Sequence, residues 1–269
     1  MMVNQSSGGI FLTKHLFYGG CIEMAKYFEA VNNDGSICVD DTYQNLELLE
    51  VVELKNAKKT LISDTPYGKN WQYTYTCSEV ASKNGLLRGV GLSELAGKSF
   101  CMSIVGNNIY FYDPEAGNKN WAERDDVMEN AKLYIFGYNN RQPAKHLAGL
   151  EIYNADGGVV YSSDAQYLDV LACGNEDTST VAFDKNDDVC ILELGSDTFL
   201  HLYIVAHRGE NGIDSETHPY FEIGDGTVTI KKKTFNDVYV DDIDTEHPLV
   251  KEEFKAWYTY GWLMGKVLK

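Results

Sequence analysis

The sequence lacks the closely spaced cysteine pairs that structural zinc sites use. Its 6 cysteines are scattered over 269 residues, and no histidines accompany them at zinc-ligand spacing. Proline is scarce, with 5 residues, and no run approaches the roughly 18 apolar residues of a membrane-spanning helix. We therefore expect no metal site and no membrane insertion. The scattered thiols are typical of small side chains in an apolar core.

Glycine motifs of catalysis and nucleotide binding are also missing. Nucleophile elbows, phosphate loops and dinucleotide fingerprints each need glycines at fixed offsets beside a helix, and the closest string, at 89–93, lacks that context. The acidic run at 184–188 begins like a calcium loop, but Val189 stands where such a loop requires glycine. This sequence therefore predicts no catalytic residues, no cofactor and no enzymatic activity.

Paired carboxylates are the remaining sequence feature that would indicate a hydrolase. Adjacent acids such as Asp125 and Asp126 resemble the two carboxylates of a glycosidase. Neighbouring side chains in a strand point to opposite faces, however, so such a pair is poorly placed to act on the same glycosidic bond. A glycan hydrolase or depolymerase is kept as the second alternative function.

Basic residues are few relative to acidic ones. The chain has 23 lysines and arginines against 40 aspartates and glutamates, which gives a formal net charge of -17. This charge opposes extended contact with a phosphate backbone or an anionic membrane surface. We expect no nucleic-acid partner.

Aromatic and glycine residues favour strands and turns. The chain holds 18 Tyr, 11 Phe and 24 Gly, and short apolar runs alternate with turn signals. Examples are the strands around a predicted Asn107-Asn108 turn, the runs 131–138, 188–194 and 198–207, and the Gly224-Asp225-Gly226 turn. At least ten short strands predict an all-β, mainly antiparallel fold of the sandwich or barrel kind.

An internal repeat divides the chain. Residues 28–49, FEAVNNDGSICVDDTYQNLELL, resemble residues 150–171, LEIYNADGGVVYSSDAQYLDVL, without gaps and at a constant offset of 122. Each copy runs from a strand through Asp-Gly into a second strand, a strong hairpin signal. In the second copy we expect a third strand, Tyr167 to Leu171, to add antiparallel and form a meander. We predict two tandem β-sandwich-like units, 24–147 and 148–269.

The two ends of the chain are less regular. Residues 1–23 carry no convincing pattern, and Met24 opens directly into a strand, so we expect a dispensable, poorly ordered leader. The segment from Pro248 to Val267 places aromatic residues on one helical face, although its glycines also permit strands. We favour a short C-terminal helix there.

One aromatic stripe is a candidate binding surface. Trp71, Tyr73 and Tyr75 alternate with polar residues, which places three rings on one face of a strand, as in carbohydrate-binding platforms. A stripe of core residues explains the same pattern. The sequence alone permits both interpretations. Recognition of a receptor by carbohydrate binding is the first alternative function.

Two stretches resemble a poorly characterised family of tail-region proteins from tailed bacteriophages and prophages. In residues 132–171 an aromatic strand precedes an alternating strand, and the motif residues are Gly149-Leu150, Asn154, Gly157, Ser162-Ser163 and Tyr167-Leu168-Asp169-Val170. AKYFEAVNNDGSICVDDTYQNLEL at 25–48 resembles the openings of similar proteins. Asp169 stands where a basic residue is common in that family.

This resemblance implies a structural role in a virus particle rather than the catalysis of a reaction. It implies a non-enzymatic virion protein of the tail tip or fibres, made in the host cytoplasm and acting through contacts with other tail proteins. Host attachment through a surface glycan and assembly into a homo-oligomer belong to the same expectation. It supplies no catalytic residues.

Overall fold

A computed structural model describes most of the chain. The described residues are 29–31, 37–40, 45–65, 68–113, 121–139, 149–154, 156–174, 177–193, 199–204, 210–241 and 261–268. The predicted leader at 1–23 lies outside them.

Eighteen strands and two short helices are present in these ranges. In chain order the strands are β1 (Glu29–Val31), β2 (Ile37–Asp40), β3 (Glu47–Glu53), β4 (Lys58–Thr65), β5 (Gly68–Thr74), β6 (Gly85–Gly91), β7 (Ser99–Val105), β8 (Asn108–Tyr112), β9 (Lys132–Gly137), β10 (Glu151–Tyr153), β11 (Val159–Ser162), β12 (Tyr167–Gly174), β13 (Thr178–Ala182), β14 (Val189–Glu193), β15 (Phe199–Ile204), β16 (Glu210–Ile223), β17 (Thr227–Asp241) and β18 (Trp262–Leu268). The helices are α1 (Glu79–Asn84) and α2 (Asp125–Met128), and Leu54–Asn56 form one 3₁₀ turn. The all-β, antiparallel fold predicted from the sequence is confirmed.

Two layers form the body of the molecule. Six strands close a barrel in the order β12-β18-β14-β6-β9-β3. A second sheet has the order β13-β17-β16-β7-β8-β5-β4, and β15 also pairs with β16. β1–β2 and β10–β11 form separate two-stranded sheets. Alternate residues of the barrel strands pack toward the second sheet, which gives a sandwich-like arrangement around one large apolar core.

The barrel interior holds a smaller apolar cluster. All six barrel strands contribute to it, and its fully or largely buried members are Tyr134, Phe136, Cys190, Leu192 and Val267. A six-stranded barrel leaves little room for side chains, so glycine is needed where strands approach closely. A Cβ added at Gly89 would lie 2.9 Å from Leu192 Cγ and 3.0 Å from Cys190 Sγ.

The barrel consists of two equivalent halves. Exchanging β3, β9 and β6 with β12, β18 and β14 leaves the ring order unchanged, and every pairing in the ring is antiparallel. In the second sheet, strands from before residue 140 form one contiguous group and strands from after residue 176 form the other. The two predicted units therefore meet edge to edge and share both layers, and the predicted boundary near residue 147 falls between β9 and β10.

The repeated hairpins match residue for residue. In β1–β2, Glu29 pairs with Asp40, Ala30 with Val39 and Val31 with Ile37, with an irregularity between Ala30 and Val31. In β10–β11 the pairs are Glu151 with Ser162, Ile152 with Tyr161 and Tyr153 with Val159, and the irregularity lies between Ile152 and Tyr153. Adding 122 to each residue of the first set gives the second set. The sequence repeat is thus a structural repeat.

The meander predicted for the second copy is wrong, and the first copy has the same arrangement. β12 pairs with β18 and β3 rather than with β11, and β3 pairs with β9 and β12 rather than with β2. The two third strands meet each other, since Leu168 donates its backbone N–H to Leu46 O at 3.0 Å. Leu46 and Leu168 are equivalent positions of the repeat, so this contact lies where a local two-fold axis would pass.

Two other local predictions need correction. The residues from Trp262 to Val267 form strand β18 and not a helix, because this segment pairs on both sides, with β12 and β14, to complete the barrel wall. Residues 248–260 lie outside the described ranges. The turn after β7 uses Gly106 and Asn107 rather than Asn107 and Asn108, since Gly106 supplies a φ of +59°.

We expect Gly89→Ala to destabilise the protein by about 1 to 3 kcal/mol, because overpacking of the barrel outweighs the smaller entropic gain of alanine over glycine. Urea-induced unfolding of the full chain measures the difference. Leu86→Ala on the same strand is the control, since its side chain is 54% exposed and its loss should change stability by no more than about 0.5 kcal/mol. Equal stability of Gly89→Ala and the wild type would contradict a filled barrel.

Candidate functional site

The aromatic stripe on β5 lies mostly in the core. Tyr73 and Tyr75 are each 2% exposed and belong to the large apolar cluster between the layers. Trp71 is half-buried, and Lys59 Nζ lies 4.6 Å from the centroid of its ring. The three rings do not form an exposed face, so their burial favours the core interpretation over the sugar-binding one.

A polar cluster caps this stripe. It consists of Lys59, Trp71, Tyr73, Glu123 and Asp125 and is called the Lys59 cluster below. The Tyr73 hydroxyl donates to Asp125 Oδ1 at 2.8 Å and accepts the backbone N–H of Arg124 at 2.8 Å. Lys59 Nζ donates to Asp125 Oδ2 at 2.6 Å and also to Glu123. β4, β5 and the start of α2 are thereby joined through one set of side chains.

In the Lys59 cluster, the pKa values of Lys59, Asp125 and Tyr73 are all shifted away from neutral pH. Burial lowers the pKa of Lys59, but its hydrogen bonds to Asp125 and Glu123 outweigh burial and raise it overall. The hydrogen bond from Lys59 holds the pKa of Asp125 below its usual range. Burial, with the bond to Asp125, raises the pKa of Tyr73. Lys59, Asp125 and Tyr73 therefore keep their ordinary charges near pH 7, which suits a structural tie and not general acid–base catalysis.

Asp125 and Asp126 do not act as a pair. Asp125 faces Lys59 and Tyr73, whereas Asp126 accepts a hydrogen bond from Arg124 Nε at 2.9 Å and lies 3.4 Å from Lys98 Nζ. Both carboxyl groups have a lowered pKa because cations bind them. A glycosidase acid requires a raised pKa, so this acidic pair lends no support to the hydrolase alternative.

Tyr75 is anchored separately. Its hydroxyl donates to Gly106 O at 2.9 Å and accepts from Arg88 Nε at 2.9 Å. Burial raises the pKa of Tyr75, although Arg88 opposes the shift. These bonds join β6 to the β7–β8 turn and leave the tyrosine no free hydroxyl proton for a ligand.

A cavity of about 250 Å³ opens at one side of the barrel. It is lined by Leu48, Val51, Glu53, Lys132, Tyr134, Gln166, Asp188 and Val267. The Tyr134 hydroxyl donates to Asp188 Oδ1 at 3.4 Å, and burial raises the pKa of Tyr134. Sequence reasoning missed this cavity, because its wall comes from five segments far apart in the chain.

The acidic turn before β14 has a structural explanation. Asp184 Oδ1 accepts the backbone N–H and the side-chain amide of Asn186, both at 2.9 Å. Such bonds are typical of aspartate in a turn. Within the described residues, no three His, Cys, Asp or Glu side chains are grouped so that they could hold a metal ion.

Comparisons with known proteins add no relative. The chain matches no protein-family model, no curated protein and no solved structure. None of the helices in the described ranges has the length and apolar character of a membrane span.

We expect Tyr73→Phe to lower the free energy of unfolding by about 1 to 2 kcal/mol, because Arg124 N–H and Asp125 both lose a hydrogen-bond partner. Urea titration followed by circular dichroism measures it. Tyr110→Phe is the matched control on the adjacent strand, since no hydrogen bond of its hydroxyl is found among the described residues and the change should be near zero. Equal effects of the two variants would contradict the structural tie.

The Asp125 carboxylate should contribute to stability in a pH-dependent way. Its folded-state pKa is lowered, so the contribution is complete above the unfolded value of about 3.9 and is lost as pH falls through the folded value. The stability difference between wild type and Asp125→Asn should therefore be constant from about pH 7 to 5 and shrink below about pH 4. Asp64→Asn, at an exposed pair with Lys69, should show little difference at any pH. A difference that grows on acidification would refute the assignment.

Proposed function

We propose that this chain is a non-enzymatic structural protein of the tail region of a tailed bacteriophage or prophage, acting through protein contacts. The observation that carries the proposal is the duplicated unit. The segments that resemble tail-region proteins fold as two matching hairpins, and their third strands meet at Leu46 and Leu168. The resemblance therefore covers one of the two junctions at which the barrel closes, the one between β3 and β12.

The chemistry of the described side chains supports a role in contact rather than catalysis. Lys59 forms ion pairs with both carboxylates of the Lys59 cluster, and Asp125 and Asp126 face separate cations. Exposed apolar side chains include Leu61 and Ile62 on the outer strand β4 of the second sheet, and Val170 and Leu171 on barrel strand β12. Open edges and exposed apolar strands are common sites of strand addition and assembly.

Mass spectrometry of gradient-purified virions from a host or lysogen carrying the gene tests this proposal. We expect peptides from residues 24–269 in fixed proportion to known tail proteins across the particle fractions. A cytoplasmic host protein of similar abundance is the control for contamination. Absence from particles, with abundant protein in infected cells, would overturn the virion assignment and favour an assembly factor or an intracellular effector.

A further inference from the structure

The two halves differ at one edge of the second sheet. In the first half β5 pairs with β8 and leads into barrel strand β6, and β4 covers its other side. In the second half β13 pairs with β17 and leads into barrel strand β14. β13 thus has the position of β5, but no strand within the described ranges takes the place of β4.

Within the described ranges no strand pairs with the outer edge of β13, which presents backbone N–H and C=O groups. Lys232 donates its backbone N–H to Asp177 O, and Phe183 donates to Gly226 O, both at 2.9 Å. Antiparallel ladders alternate, so residues an even number of positions from Asp177 also bond to β17. The backbone groups of Thr178, Thr180 and Ala182 therefore face away from the sheet.

β13 lacks the features that protect β4. The sequence of β4 begins with Lys58 and Lys59, Pro66 follows it, and its register shifts between Leu61 and Ser63, so that Ile62 has no partner on β5. Lysines, proline and bulges are the usual defences of an edge strand. β13, with the sequence TSTVA, contains none of them and pairs with β17 in a continuous register.

Charge indicates which strand fits this edge. Asp177, with a side chain 90% exposed and 3.7 Å from Lys232, and the exposed Asp184 flank β13. Pairing of β13 with β13 of a second copy would place acidic flanks against each other in a chain of net charge -17. A strand with basic residues beside an apolar centre, the pattern of β4, complements the edge better.

We infer that the outer edge of β13 binds an extended, β4-like strand of a separate partner protein, with lysine or arginine beside an apolar centre. This inference rests on the proposed role in protein contacts, but not on a place in the virion. Main-chain hydrogen bonds to Thr178, Thr180 and Ala182 hold the strand, and Asp177 and Asp184 select its basic residues.

Binding of a synthetic peptide of residues 57–65, AKKTLISDT, to the full chain tests the edge by fluorescence anisotropy. Thr180→Pro removes an outward N–H without breaking a bond to β17, and we expect it to weaken binding about tenfold or more. Thr180→Ala retains that N–H and should bind like the wild type. Asp177→Lys, which leaves the backbone unchanged, should also weaken binding, and so should a peptide with Lys58→Glu and Lys59→Glu.

No binding by the wild type, or equal binding by Thr180→Pro and Thr180→Ala, would overturn the inference. Light scattering measures the oligomeric state of the full chain and so distinguishes a separate partner from a second copy. A monomeric wild type agrees with a separate partner, whereas an oligomer that Thr180→Pro dissociates would assign the edge to a second copy and overturn that choice. Detection in virions together with failed peptide binding would reject the docking edge and leave the proposed function standing.

Discussion

Closure of the barrel depends on edge-to-edge contact between two halves of one chain. In the described part of the chain the ladders that join them are short: Tyr167 pairs with Glu47 at one junction, and Cys190 and Ile191 pair with Gly91 and Val90 at the other. The ladders within each half are longer. Few hydrogen bonds therefore hold the halves together, and apolar burial must supply most of the remaining stabilisation.

The second sheet shows how that burial is arranged. β7 and β16 also meet over a short ladder, in which Phe100 lies opposite Phe221. Both rings are fully buried, and their centroids are 5.5 Å apart. Aromatic pairs at this separation add to the stabilisation given by area burial alone. The three junctions and the core between the layers thus form one connected unit, and loss of packing at one junction should weaken the others.

Local signals in the sequence were enough to predict most strands and both hairpins. The Asp-Gly sequence signal and alternating apolar residues act over a few positions and predict the hairpins β1–β2 and β10–β11, whose registers match. The partners of β3 and β12 could not be predicted in this way, because strand pairing over more than a hundred residues leaves no periodic signal. β18 was misassigned for a related reason: its aromatic and glycine residues suit either element, and pairing with β12 and β14 decides between them. The Trp71 stripe was visible, but its burial involves residues distant in the chain, such as Phe111 and Asp125 beside Tyr73.

Duplication explains why the edges, rather than the interior, differ between the halves. Residues inside the barrel meet their counterparts across a shared space, so a change in one half must be matched in the other. An edge strand has no such constraint. The first half adds β4, and Lys59 on β4 binds Asp125, which in turn accepts the hydrogen bond of Tyr73 on β5. The corresponding edge at β13 carries the exposed residues Thr180 and Asp177, and no outer strand in the described part of the chain pairs with it. A duplicated fold can therefore cover a strand of one half with a further strand of its own chain and leave the equivalent strand of the other half uncovered. Specificity for a partner can arise at the uncovered strand without any change to the shared core.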